Sequence, residues 1–540
     1  MPCLSDVSLL RSIPLTSLRT IAVVLVLAVV TTVVAAVLLP RTVPATAGAS
    51  SADEPTRLTR PALRTVLRGV GRYTARIVMV GVPVLLVVVL GGLLINRPMH
   101  YVRTVGDLAK AAAPRAQANS RIESPPKSSA FGTAPASAWK ASFHDVGDGS
   151  QEATWTGPVS GIKLPVRVVL PAGYRPDDGR TYNVLVGLHG WVGDPQSLVT
   201  GIASPQRLQE AIDAGRIPPS ILVFPSLNAD GASQPDCVNI NGRPPVGTWT
   251  AEEIPRMIQA TFPNVTTQRA GWMIMGISAG AYCAARTAYD VPQRFGAVGV
   301  MSSYDLPGEG SLAHSGRELQ AQNGLSTMLG KRKPDGMRFY VLGAQDDSSG
   351  AARAAWFMDD AVRKPDSLTV DTPATGGHSW VLWNGYFPSL LTWWGSDPAV
   401  FKAAGLPAPQ GNTWAKAIAA GVKPLTETPK DQRVVGSVSP MRARPFEING
   451  LGTIIVAVVA SLGALGAVMF CSPRWGRRRD GGKSSVARLT GSILGRVVVI
   501  LVAAGLIAVT AGIGANASGG FYTSWRDLRA SVRVSENAGK

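Results

Sequence analysis

Four runs of nearly unbroken apolar residues, at 21–39, 77–95, 454–471 and 497–515, each hold close to the ~20 residues that cross a bilayer as a helix. They fall in two pairs, one at either end of the 540-residue chain. A helix satisfies its own backbone groups in lipid, so each run is predicted to be a transmembrane helix. A soluble domain then has to be built from the middle. The reading is an N-terminal membrane region at 1–96, a linker at 97–140, a soluble domain at 141–401, a second linker at 402–450 and a C-terminal membrane region at 451–540. The first run has an alternative reading as the apolar part of a secretory signal, because Ala45-Thr46-Ala47 forms a cleavage-like site. No internal repeat is evident.

The formal net charge of +18 raises nucleic acid as a partner, but the basic residues cluster beside the apolar runs, and no nucleic-acid partner is expected. Between the last two runs lie Arg474, Arg477, Arg478, Arg479, Lys483, Arg488 and Arg496 against one acidic residue, Asp480. Between the first two, Arg57, Arg60, Arg64, Arg68, Arg72 and Arg76 recur at helical spacing. Both loops read as cytoplasmic, which puts the middle domain on the outer side of the cell membrane. Of the four cysteines, Cys237 and Cys283 fall in that domain, where an external compartment permits a disulfide; two separate buried thiols are the alternative. No C-x-x-C, H-E-x-x-H or Gly-x-Gly-x-x-Gly pattern is present in a usable context, so neither a metal nor a cofactor is expected.

Strand patterns at 161–170, 182–188, 221–224, 272–275, 297–301, 338–342 and 367–370 alternate with helical stretches, which implies a mostly parallel sheet covered on both faces. Thr250 and Glu253 read as a capping box at the start of one of these helices. The pattern lapses at 306–333, which reads as a lid or as a surface excursion.

Within this alternation the run 271–283 places an apolar strand, Gly276-Ile277-Ser278-Ala279-Gly280, and then Ala-rich helical sequence. A strand-to-helix turn of this kind holds a serine in a strained conformation at the carboxyl edge of a sheet, with glycines where a Cβ would collide. A serine nucleophile needs a base and an orienting acid. His378 follows a glycine-containing loop after the last strand, and Asp346 leaves the strand at 338–342; Asp347 is the alternative acid. Backbone N–H groups of Ala279, next to the serine, and of Trp191, after the strand at 182–188, are the expected oxyanion donors, with Gly190 permitting close approach and His189 structural.

The segments Val168-Val169-Leu170-Pro171-Ala172-Gly173-Tyr174, Leu188-His189-Gly190-Trp191, Thr248-Trp249-Thr250, Gly276-Ile277-Ser278-Ala279-Gly280, Pro292-Gln293-Arg294-Phe295 and Gly376-Gly377-His378-Ser379-Trp380 together resemble the putative-esterase (esterase D) family of α/β-hydrolases. Its actinobacterial members include the antigen 85 mycolyltransferases. The resemblance covers about 161–395 and implies an α/β-hydrolase fold, with ester hydrolysis or acyl transfer through an acyl-serine on Ser278, His378 and Asp346. The mycolyltransferase branch has Glu as the acid and Met after the nucleophile, where this chain has Asp346 and Ala279. The expectation is therefore a membrane-anchored, envelope-facing serine carboxylesterase acting on an acyl ester, with cell-envelope lipid among its candidate substrates. The alternatives are an acyltransferase and a non-catalytic binding protein on the same fold.

Overall fold

The structure is a computed structural model, and it describes residues 10–43, 60–99, 104–106, 108, 121–123, 126, 128–191, 193–229, 236–308, 310–433, 445–475, 486–519, 522, 524–526 and 528–529. The Ala45-Thr46-Ala47 site, Arg57, the side chains of Arg60, Arg64 and Arg68, and Arg477, Arg478, Arg479, Asp480 and Lys483 lie outside the described residues. The chain divides into two compact units, one centred on 98–439 and the other joining 14–97 with 440–518.

The first unit is a nine-stranded sheet in the order β1-β2-β3-β5-β4-β6-β7-β8-β9. Its strands are β1 (His144–Asp145), β2 (Gln151–Thr156), β3 (Lys163–Val169), β4 (Asn183–Leu188), β5 (Ser220–Pro225), β6 (Trp272–Ile277), β7 (Ala297–Met301), β8 (Arg338–Leu342) and β9 (Ser367–Asp371). From β5 through β4 to β9 the pairing is parallel, while β1, β2 and β3 add an antiparallel flank. All seven strands expected from the sequence are present. The two that were not expected, β1 and β2, are short or carry polar residues on alternate positions, as an edge hairpin exposed on one face does.

The central strands are buried on both sides, and their side chains divide by alternation. In β6, Trp272 and Ile274 join one apolar cluster, while Met273, Met275 and Ile277 join the other. The first cluster is completed by the helices Ile254–Thr261, Ala279–Asp290 and Ala351–Ala361. The second is completed by Pro195–Gly201, Ser204–Asp213 and the Trp-rich helix Trp380–Gly395.

The expected capping box does not form. Thr250 lies inside a continuous helical stretch, where its hydroxyl donates to the Val246 carbonyl at 3.0 Å. Glu253 is fully buried and accepts instead from the amides of Val159 and Ser160, at 2.7 and 3.0 Å, tying down a distant turn. Packing also runs past the expected domain limits. In the stretch expected to be a linker before residue 140, Phe131 and Trp139 are buried in a row of aromatic contacts with Trp155 and Trp249. After residue 401, a strap at 422–433 lies along the sheet's carboxyl edge.

The second unit is built, among the described residues, on the long helices Leu18–Leu38, Arg60–Met99, Leu451–Gly466 and Val486–Gly519, with short 3-10 and π turns at 39–42 and 467–474. Among the described residues four segments, Leu18–Thr42, Val70–Arg97, Leu451–Arg474 and Val486–Ala517, are long and apolar enough to cross a membrane. Small and branched residues, among them Ala35, Ala36, Leu39, Val80, Val468, Ile500 and Ala503, form the packed seam. Many of the large apolar side chains point outward, including Val23, Leu25, Ile77, Leu85, Val456, Leu462, Val498 and Val509, as on a surface solvated by lipid.

Candidate active site

Parallel register brings the carboxyl ends of the central strands to one edge: Leu188 is opposite Gly276, Ile277 opposite Met301, and Leu342 opposite both Met301 and Asp371. Each loop leaving that edge carries one of the groups singled out by the sequence. Ser278 sits between β6 and the helix Ala279–Asp290 at φ 57° and ψ −122°, a region in which a side chain is strained. Only glycine fits on either side. A Cβ at Gly276 would strike the Gly280 carbonyl, and one at Gly280 would strike the carbonyls of Leu188 and His189. The elbow is thus held by close backbone approach between β6, the following helix and the end of β4.

His378 and Ser278 meet, with Nε2 2.8 Å from Oγ. Nδ1 of the same ring lies 2.9 Å from Oδ2 of Asp347. Asp347, rather than the expected Asp346, therefore faces the imidazole. Alternation along β8 does not extend to this pair, because the chain leaves the strand at Leu342 and the Asp347 amide closes a turn onto the Ala344 carbonyl at 3.1 Å. That turn carries the Asp347 side chain inward, while Asp346 accepts from the Gly377 amide at 2.8 Å, beside the histidine. Burial by itself would raise the Asp347 carboxyl, but the facing imidazole and hydrogen bonds from His378 and Ser349 hold it below the usual carboxylate range. With the carboxylate ionised, Nδ1 carries the proton donated to Asp347 and Nε2 accepts from the serine hydroxyl.

The groups expected as oxyanion donors lie on the two loops that flank the nucleophile. Ala279 is the first residue of its helix, so its N–H has no intrahelical acceptor. Gly190 lies against the nucleophile: a Cβ added there would sit 3.2 Å from both the Ile277 oxygen and the Ser278 Cβ. Trp191 follows it, partly exposed. Residue 192, in the same loop, lies outside the described residues. His189 is buried, donating from Nδ1 to the Gly190 carbonyl at 2.9 Å and accepting at Nε2 from the Leu227 amide at 3.0 Å. It fastens the loop and does not face the serine.

Sequence reasoning missed a surrounding set of supports. Trp383 packs edge-on against the His378 ring with centroids 5.1 Å apart, and its Nε1 donates to Ser302 Oγ at 2.9 Å. Gln345 donates from Nε2 to the Thr372 carbonyl and to Thr428 Oγ1, at 2.9 and 3.0 Å, linking the acid loop, the histidine loop and the strap. The Thr426 amide donates to Asp371 Oδ1 at 2.9 Å, and Tyr340 donates its hydroxyl to Oδ2 at 2.7 Å. Burial pushes the Asp371 carboxyl up to about 6, against the opposing effect of those hydrogen bonds and of Lys423. Of these, the sequence hinted at Trp383 alone, through the cluster of tryptophans after His378.

Cys237 and Cys283 are bonded to each other, with Cα atoms 5.2 Å apart. Cys283 lies in the helix that follows Ser278, within the apolar cluster on that face. Next to Cys237, the buried Asp236 carboxylate accepts from the amides of Ser311 and Leu312 at 3.0 and 2.7 Å. The excursion at 306–333 consists of short helices, and it is fixed to the same elbow helix, Tyr282 donating its hydroxyl to the Asn323 carbonyl at 2.8 Å. Of its large apolar residues, Leu312, Leu325 and Leu329 are buried in packing, while Leu306 is exposed.

Residues 158–393 match the family model described as Putative esterase. Among solved structures, the chain is similar to an S-formylglutathione hydrolase from Agrobacterium tumefaciens, at 15% identity over 47% of this chain and 97% of that one, with a TM-score of 0.38. It is similar to a ferulic acid esterase from Anaeromyces mucronatus, at 16% identity over 52% of this chain and 97% of that one, with a TM-score of 0.35. A fluorophosphonate-binding serine hydrolase from Staphylococcus aureus aligns at 14% identity over 47% and 98%, with a TM-score of 0.37. No curated protein matches.

Proposed function

We propose that the chain, a hydrolase whose residues 158–393 match the Putative esterase family model, is a membrane-anchored serine carboxylesterase acting through an acyl-serine on Ser278. The observation that carries the mechanism is the unbroken run Ser278 Oγ, His378, Asp347, with contacts of 2.8 and 2.9 Å. His378 Nε2 takes the serine proton as Oγ attacks the ester carbonyl, and Asp347 stabilises the imidazolium that forms. The N–H groups of Ala279 and Trp191 receive the tetrahedral oxygen. The imidazolium then returns its proton to the leaving alkoxide. A water deprotonated by His378 attacks the acyl-serine, releasing the acid and regenerating the serine.

Hydrolysis is favoured over transfer to an acceptor alcohol by the state of the excursion at 306–333. Transfer requires water to be excluded from the acyl-serine by a shaped apolar channel. Leu325 and Leu329 are committed to the core and Leu312 to a smaller cluster with Val238 and Ile240, while Ser278 and His378 are both partly exposed. The basic loops support an orientation with the catalytic domain outside the cell membrane, and the Cys237–Cys283 pair is compatible with an oxidising compartment. Cell-envelope acyl esters are then accessible substrates.

The test is fluorophosphonate labelling of intact cells and of purified protein, followed by turnover of a short-chain nitrophenyl ester with and without glycerol as an acceptor. Labelling lost in Ser278→Ala and release of free acid are expected. Labelling that persists in Ser278→Ala removes the nucleophile assignment, and acylated glycerol as the main product removes hydrolysis.

A further inference from the structure

The four-helix unit buries two arginines, Arg76 at 5% and Arg496 at 2% exposure. Apart from the Ser492 hydroxyl, one turn back on its own helix, which accepts from Arg496 Nη2 at 3.2 Å, the partners of both are carbonyls and a hydroxyl at the C-terminal ends of the first helix of each pair. Arg76 donates from Nη2 to the Thr42 carbonyl at 3.2 Å and from Nε to the Thr42 hydroxyl at 2.8 Å, both in its own hairpin. Its Nη1 crosses to the other hairpin and donates to the Met469 carbonyl at 3.2 Å. Arg496 repeats the pattern. Nη2 donates to the Trp475 carbonyl at 2.6 Å and Nε to the Ser472 carbonyl at 3.1 Å within its own hairpin, and Nη1 crosses to the Ala36 carbonyl at 2.8 Å.

The correspondence has a cause in the backbone. Each first helix ends at a Pro-Arg pair, Pro40-Arg41 and Pro473-Arg474. Proline has no N–H, so a carbonyl one turn before it loses its helical donor, the one four residues back in the α-helix before Pro40, whereas the turn before Pro473, Ala467–Cys471, is wound wider as a π-helix. The carbonyls four residues before the two prolines belong to Ala36 and Met469, the two that the crossing arginines reach. The within-hairpin contacts correspond as well, since Thr42 and Trp475 each lie two residues after their proline. Helix C-termini carry partial negative charge, which suits a guanidinium without a carboxylate partner. In lipid an unsatisfied carbonyl has no water to turn to, so each hairpin supplies a donor where the other's proline removes one.

We propose that the N-terminal and C-terminal hairpins are two copies of one helix, Pro-Arg turn, helix element that lock reciprocally through Arg76 and Arg496. They are obligate partners in a single pseudo-twofold module and not independent anchors. The repeat is hidden in the sequence because the stretch from proline to arginine differs in length between the copies and the helices are otherwise generically apolar. The lock also puts the C-terminal ends of both first helices at the same end of the module.

The test uses the full chain, tagged at both ends, with a protease site placed between Arg433 and Pro445 and cleaved in isolated membranes before extraction in mild detergent. The two halves are expected to be recovered together. Arg76→Leu or Arg496→Leu should each lower co-recovery by roughly three- to twentyfold, the range of interhelical hydrogen bonds in bilayers. Restoring a backbone donor should rescue crosswise: Pro40→Ala recovers Arg496→Leu but not Arg76→Leu, and Pro473→Ala recovers Arg76→Leu but not Arg496→Leu. If a single variant fails to accumulate, the same crosswise recovery is read as accumulation. Halves of the Arg76→Leu/Arg496→Leu chain that stay together as in the parent, or rescue without regard to which arginine is lost, would overturn the lock.

Discussion

Asp347 Oδ2 lies 2.9 Å from His378 Nδ1, while the adjacent Asp346 accepts from the amide of the residue before that histidine. The two neighbouring carboxylates thus have separate tasks, one on the ring and one on the loop that carries it. Asp347→Asn is expected to lower kcat on the order of 10⁴-fold, because an amide facing Nδ1 favours the wrong imidazole tautomer. Asp346→Asn should cost about tenfold or less, since its amide oxygen still accepts from Gly377. Ester turnover by both variants checks this, and equal losses would remove the distinction.

Gly190 is the second sensitive position. A methyl group there would sit 3.2 Å from the Ser278 Cβ and from the Ile277 carbonyl oxygen, neither of which is the free end of a flexible chain. The loop has to withdraw, taking the Trp191 N–H with it. Gly190→Ala should lower kcat by roughly 10²-fold, the effect of losing one oxyanion donor, with little change in KM. Wild-type kcat in this variant would exclude the Trp191 amide from the oxyanion site.

The disulfide closes a sequence separation of 46 residues. By loop-closure entropy it stabilises the fold by up to about 4 kcal/mol. Replacing both cysteines by serine, which avoids a lone reactive thiol, should shift denaturant unfolding by no more than that amount. Mass spectrometry of alkylated, unreduced protein is expected to find neither thiol free, and free thiols at both positions would contradict the bond.

Asp371 gives the stability a pH dependence of definite sign. Its folded-state pKa of about 6 lies above the ordinary 3.8. Between those values the folded protein holds a proton that the unfolded chain has released. This group therefore adds stability as the pH falls through 6 and withdraws it as the pH rises, by up to about 3 kcal/mol in all. Asp371→Asn keeps an acceptor for the Thr426 amide and does not titrate. The stability of the parent minus that of Asp371→Asn, measured by denaturation from pH 7.5 to 4, should rise toward low pH. A flat difference would rule out the burial effect.

Much of the fold was legible because its signals are local. The alternation of buried strands with helices gave β3 to β9, and Ser278 and His378 announce themselves by Gly276 and Gly280, where a Cβ would collide, and by Gly376 and Gly377, where φ is positive. Asp347 was not legible over Asp346, because a turn of a few residues decides which neighbour points inward. Glu253 was misread for a related reason: its pattern is that of a cap, but its partners, the Val159 and Ser160 amides, are brought to it by tertiary packing. Gln345, Thr426 and Thr428 carry no motif at all, and their roles exist only once chain segments far apart in sequence meet.

The strap at 422–433 bears on where a working enzyme ends. The family match stops at residue 393, yet the loops holding Asp347 and His378 are buttressed by Thr426 and Thr428, and Arg433 anchors the segment by donating to Asp359 at 2.8 Å. A fragment trimmed to the family boundary would keep Ser278, His378 and Asp347 but leave Asp371 and Gln345 facing solvent. The smallest autonomous catalyst is therefore expected to run at least to Arg433, with the strap a part of the catalytic unit and not a tether that follows it.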